Sequence, residues 1–199
     1  MKTAHSMYLA FCLGGAISVS SPALFTGTAS SVLNFTTLFA GGGCGISVPP
    51  TIQFNNGNPL LPSEIEAATE AGTPKTSASF NIMLSNCSGW GLIPKIKVTG
   101  DKTTAFGSTL FRSNQLGSGD SDGYGVYLKT DGNTSFKQNN NLGYNGTISA
   151  NENWSTEKQL ATIDTSIPIF AVLRCGNCVY GARQGGKFSA TVTFTFLYD

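Results

Sequence analysis

Five cysteines, one histidine and a scatter of carboxylates are the side chains of this chain with chemistry to offer. The most suggestive spacing is Cys175-Gly176-Asn177-Cys178. In a thioredoxin-like βαβ setting a C-x-x-C is a redox-active dithiol. No such setting surrounds it here, because the motif follows an apolar run and opens no helix. It reads as a small disulfide clasping the turn before the last strand. A four-cysteine zinc site is a poorer fit, since Cys44 and Cys87 lack paired spacing. Asp120, Asp122 and Gly123 echo the start of a calcium loop, yet the later ligands and the closing glutamate are missing, so a turn is expected. Glu152 and Glu157 have the residue type of a glycosidase pair, but no pattern places them in a cleft. Trp90 and Trp154 could stack on sugars, and Trp is as often a core residue.

The N-terminus decides which of these groups survive. Lys2, the apolar run Met7–Val19 and the small residues around Ala23 form a secretory signal, 1–23, with Ala29 as a second cleavage position. The apolar run is too short to span a bilayer. Cleavage removes His5, the single histidine, and Cys12. A mature chain without histidine excludes a Ser-His-Asp triad, a Cys-His pair and every His-liganded metal site. Cys44, Cys87, Cys175 and Cys178 remain, an even number in an exported chain, which predicts two disulfides. No catalysis, cofactor or metal is expected.

Composition agrees with export. Charged residues are only 12% of the 199, and glycine contributes 24. This suits a β-rich extracellular domain better than a helical enzyme. Loss of Lys2 leaves eleven basic against eleven acidic side chains, with no surplus to neutralise phosphates, so nucleic acid is excluded as a partner.

These residues must be carried by short strands. Alternation predicts strands over 79–84, 93–98, 124–128 and 160–163, and a strand covered on both faces over 167–173. Ser63–Ala71 is the best helical candidate, one or two turns in a connection, with Ser63 and Glu66 spaced as a capping box. Polar turn clusters at 117–123, 131–133 and 139–146 separate the strands, and a β-sandwich follows. Two terminal segments differ from the rest. Gly186 precedes Phe188, Ala190, Val192, Phe194, Phe196 and Tyr198, one amphipathic strand ending at Asp199. Leu33, Phe35, Thr37 and Phe39 alternate likewise, ahead of three consecutive glycines, 41–43. A strand joined to its domain by three glycines need not pack on that domain.

The arrangement resembles a pilin of the chaperone–usher fimbriae of Gram-negative bacteria. Four features carry the resemblance, which covers the whole mature chain. They are a signal followed by an alternating extension, Cys44 with Cys87, the C-terminal strand with penultimate Tyr198, and Gly186 fourteenth from the end. The resemblance implies an all-β, incomplete immunoglobulin-like sandwich lacking its last strand. It divides the chain into a signal peptide 1–23, a donor-strand extension and glycine hinge 24–43, and a pilin domain 44–199. Cys44–Cys87 would bridge the first two strands. Gly186, Phe188, Ala190, Val192, Phe194, Phe196, Tyr198 and Asp199 would form the groove that first a periplasmic chaperone and then a neighbouring subunit fills. Leu33, Phe35, Thr37 and Phe39 would be the donated strand. An outer-membrane usher completes the set of implied partners, and the destination is the cell-surface fimbrium.

The expected function is that of a structural subunit, minor or tip-proximal in view of the second cysteine pair and the long polar loops between 100 and 158. Two other classes make different demands. A receptor- or glycan-binding adhesive subunit would use the loops 117–123 and 139–154 to hold a host receptor. A periplasmic thiol oxidoreductase would use Cys175 and Cys178.

Overall fold

The computed structural model describes Asn34, residues 41–69 and residues 71–199. The signal segment and the donor-strand residues Leu33, Phe35, Thr37 and Phe39 lie outside the described residues.

The fold is all-β, with two antiparallel sheets and little helix. The strands are β1 (Gly43–Ser47), β2 (Ser77–Ser88), β3 (Pro94–Gly100), β4 (Lys102–Thr103), β5 (Leu110–Phe111), β6 (Gly125–Lys129), β7 (Thr147–Ser149), β8 (Ser166–Arg174) and β9 (Val192–Tyr198). One sheet runs β1-β2-β8-β6-β5-β4 and the other β7-β3-β9. Alternation explains how each is made. On β2, Ile82 and Leu84 are buried while Ser79, Asn81 and Met83 face water. On β3, Pro94, Ile96 and Val98 point inward. The core forms where these residues meet Ile167, Ile169, Ala171 and Leu173 of β8 and Val126 and Leu128 of β6.

The expectation of a strand covered on both faces holds for the second half of β8. Ala171, Val172 and Leu173 are all buried. Val172 faces away from the core, and the turn bearing Gly72 packs over it. Pro168, in the first half, is exposed.

Three local expectations are corrected. The helix is a single turn, as short as expected, but it is α1 (Pro62–Glu66) and starts at Pro62 rather than after Ser63. Pro62 sits at the first helical position, where its fixed φ and missing N–H cost nothing. Ser63 is therefore inside the helix and caps nothing, and it is the Glu64 carboxylate that takes the Leu61 N–H at 2.9 Å. Residues 160–163 are a 3-10 turn, Leu160–Thr162, rather than a strand. The Thr162 amide and hydroxyl both donate to the Gln159 carbonyl, while Leu160 and Ile163 are buried as plugs. The cluster 139–146 holds a second single turn, α2 (Leu142–Asn145), capped by the Asn141 side chain, which accepts the Tyr144 N–H at 3.0 Å.

Candidate functional site

Strand β9 has β3 on one side and no partner among the described residues on the other. Which backbone groups that leaves unpaired follows from the ladder. Asp199 and Ile93 exchange both backbone bonds, each at 3.1 Å. Bonded and non-bonded pairs alternate in an antiparallel ladder. Thr193, Thr195 and Leu197 therefore also turn their N–H and C=O towards β3. Val98, opposite Phe194, agrees with this phase, because its N–H donates to the Gly146 carbonyl on the far side of β3. Val192, Phe194, Phe196 and Tyr198 direct theirs to the open edge. The lead-in to β9 keeps the same phase. Lys187 donates to the Gly119 carbonyl and accepts from the Ser121 N–H, both at 2.9 Å, and the Ser189 carbonyl accepts from Ser113 at 3.0 Å.

Beneath this edge lies an apolar groove of about 940 Å³. Its floor is made by Phe80 of β2, Val126 and Leu128 of β6, Ala171 and Leu173 of β8, and Tyr124. One wall is the segment after β1, from Val48 to Leu60, in which Pro49, Pro50 and Pro59 flank a 3-10 turn at Phe54–Gly57. The other wall is the run from Gly185 to Val192, with Phe194 behind it. Phe80 and Phe194 meet edge-on at 6.2 Å and join the two sheets. Val192, Phe194 and Phe196 are only half-buried, whereas the inward residues of β8 are fully buried. The partly exposed side of the groove is therefore its β9 wall, while its floor is buried core.

At the C-terminal end of β9 the Tyr198 ring lies over the glycine stretch at Gly41, and Cys44–Cys87 joins β1 to β2 with a Cα separation of 4.1 Å. The third glycine, Gly43, is already paired in β1, opposite Ser88. At the Gly185 end of the groove, Arg183 Nε donates to Glu66 Oε1 at 2.8 Å, and the Tyr124 hydroxyl donates to the same oxygen at 3.2 Å. Arg183 Nη1 also donates to the carbonyls of Cys178 at 2.5 Å and Tyr180 at 2.8 Å. The Arg183 hydrogen bond holds the Glu66 carboxyl below its usual range, and burial followed by the Glu66 contact pushes the Tyr124 phenol up. Gly186 turns the chain into the groove wall with φ +154°, and a Cβ there would lie 2.4 Å from the Gly119 carbonyl oxygen.

Cys175 and Cys178 are bridged, and their tight loop docks on Phe106, whose carbonyl accepts the Asn177 N–H at 2.7 Å. Two disulfides are the mark of an oxidising, exported compartment. Among the described residues no helix is long and apolar enough to cross a membrane.

The remaining sequence candidates sit elsewhere. Phe188, Ala190, Val192 and Phe194 line the groove, Phe196 packs on the core, and Tyr198 is 42% exposed at the strand end. The Asp199 side chain pairs with Lys95. Asp122 spends its carboxylate on Arg112 at 2.6 Å and Gly123 N–H at 2.7 Å. Burial pushes that carboxyl up, but the Arg112 and Gly123 hydrogen bonds outweigh it and hold it below the ordinary value. Among the described residues no group of three His, Cys, Asp or Glu side chains is placed to hold a metal ion. Glu152 is exposed and pairs with Lys137 at 3.2 Å. Trp154 Nε1 donates to the Leu92 carbonyl, whereas Trp90 is exposed. Sequence reasoning missed the proline-rich wall and the Glu66–Arg183–Tyr124 cluster. Pro49-Pro50 was the available signal for the wall. Nothing local marks Glu66 and Arg183 as partners, because 117 residues separate them.

No family model matches the chain, and no curated protein matches it.

Proposed function

We propose that this chain is a structural subunit of a chaperone–usher fimbria that polymerises by donor-strand exchange. The observation that carries the reading is the apolar groove running beside the edge of β9 that has no partner among the described residues. An open edge beside an apolar groove recruits an added strand, whose backbone pairs with the edge and whose alternate side chains fill the groove. The order β1-β2-β8-β6 facing β3-β9 supports an immunoglobulin-like sandwich whose final strand, beside β9, comes from another chain. Leu33, Phe35 and Phe39 have the alternation such a strand needs, and each contributes about 1.5–3 kcal/mol on burial. The contact is head-to-tail and does not close, so repetition builds a fibre.

A periplasmic chaperone holds the groove before assembly, and an outer-membrane usher passes the subunit to the surface. The chain carries its own extension, which favours a shaft or tip-proximal place. The second disulfide and the polar loops between 100 and 158 favour a minor subunit. The chain performs no catalysis.

The test is a fusion of a second copy of residues 24–41 to the C-terminus through a short linker. A soluble monomer with a melting temperature well above that of the unfused chain is the expected result. An unfused chain that is already monomeric, and indifferent to the added strand, would mean that the sandwich needs no donor.

A further inference from the structure

The groove is closed at its Gly185 end by groups that belong to neither of its walls but tie the two together. Glu66 ends α1, which continues the proline-rich wall through Pro62 and Ile65. Arg183 lies two residues before Gly185, where the opposite wall begins. The 2.8 Å contact between them spans the gap, and Tyr124, from the floor, donates to the same carboxylate oxygen. Arg183 is itself fixed from behind. Its Nη1 is held by the carbonyls of Cys178 and Tyr180, and the Cys175–Cys178 bridge pins the first of these. Its Cγ packs against Gly123, where a Cβ would come within 2.4 Å. The Glu66 and Arg183 side chains are each about one-third exposed or less, so the pair is within reach of solvent without being loose.

From this geometry we infer that Glu66 and Arg183 form a latch across the groove end, one that gates how fast a strand from a second copy of this chain enters. The inference rests on the donor-strand reading of the groove. A strand whose Leu and Phe side chains must pass between two walls needs those walls to part, and this pair is a polar tie between them. Both residues are positioning residues. They hold the walls and do not contact the seated strand, so the latch acts on entry and exit together.

The probe is a blocked synthetic peptide of residues 24–41, which contains no ionisable side chain. Its binding to the purified full chain is followed by stopped-flow fluorescence. In Glu66→Gln and Arg183→Gln, association and dissociation both accelerate about three- to fivefold, the range open to a partly exposed ion pair, and the dissociation constant barely moves. Raising sodium chloride from 0.1 M to 1 M accelerates the wild-type chain and leaves Glu66→Gln unchanged, since an uncharged peptide offers salt nothing else to screen. Glu66→Gln keeps the Tyr124 contact and serves as the variant least able to disturb folding. Peptide binding at unchanged rates in both variants, with wild-type melting temperatures, would overturn the latch. A wild-type chain that takes up no peptide would overturn the groove reading, and the latch with it.

Discussion

Arg112 and Asp122 make the most buried ion pair described in the domain, with side chains 8% and 22% exposed. Arg112 also stacks over Phe106, 5.3 Å from the ring centre. Replacing Asp122 by Asn leaves the guanidinium without its counter-charge in a nearly dry site. The expected cost is about 2 kcal/mol, a fall of about 4–8 °C in melting temperature for a domain of this size. The pH dependence has a definite sign. The folded chain holds Asp122 below its unfolded value, so this stabilisation is complete above about pH 4 and is lost as pH falls through the lower folded value. Urea midpoints measured from pH 6 to pH 2.5 should decline less steeply in Asp122→Asn than in wild type. Gly176 offers a backbone test at the same scale. It has φ +65°, and a Cβ there would lie 1.9 Å from the Phe106 carbonyl oxygen. Gly176→Ala should therefore destabilise by more than the roughly 1 kcal/mol of an ordinary glycine replacement. The Asp-Ser-Asp-Gly motif shows the limit of reading residues singly. Its residue types suggested a cation loop, and only the fold reveals that Arg112 already occupies the carboxylate.

At the scale of elements, periodicity was legible wherever one face of a strand is buried. The alternation of Phe80, Ile82 and Leu84 and the apolar run 167–173 became β2 and β8 because a one-residue slip would turn either strand inside out. Leu160 and Ile163 misled because two buried residues three apart fit a 3-10 turn as well as a short strand, and the turn's side-chain hydrogen bond decided the matter. The two disulfides act at this scale with unequal weight. Cys44–Cys87 closes a loop of 43 residues and Cys175–Cys178 one of three. On the chain-entropy model these contribute about 4 and about 2 kcal/mol respectively. Paired Cys→Ser variants, compared by calorimetry, should fall in that order, with the Cys44/Cys87 variant losing about 8–16 °C. Equal losses, or the reverse order, would mean that the Cys175–Cys178 loop organises far more than its own turn.

For the whole molecule, composition and cysteine number indicated an exported β-rich chain, and the alternating C-terminal segment indicated a one-faced strand. The open edge was implied only by the resemblance to pilins, because periodicity records which face of a strand is buried and not whether both edges are paired. Among the described residues it emerges from the register of β9 on β3 together with the groove between Val48–Leu60 and Gly185–Val192. If another copy's extension fills that space, Leu33→Asp, Phe35→Asp and Phe39→Asp in one chain should abolish fibre growth seen by electron microscopy. The melting temperature of the isolated subunit should stay within about 2 °C of wild type, since those residues then contribute nothing to their own domain.

The most direct test is residue-resolved amide hydrogen exchange on that triple variant, with and without the 24–41 peptide. The amides of Thr193, Thr195 and Leu197 face β3 and should be protected in both states. Those of Phe194, Phe196 and Tyr198 face the open edge and should exchange quickly until the peptide is added, then become protected. Protection of all six before the peptide, or no change at the three edge amides when it binds, would contradict an added strand at β9.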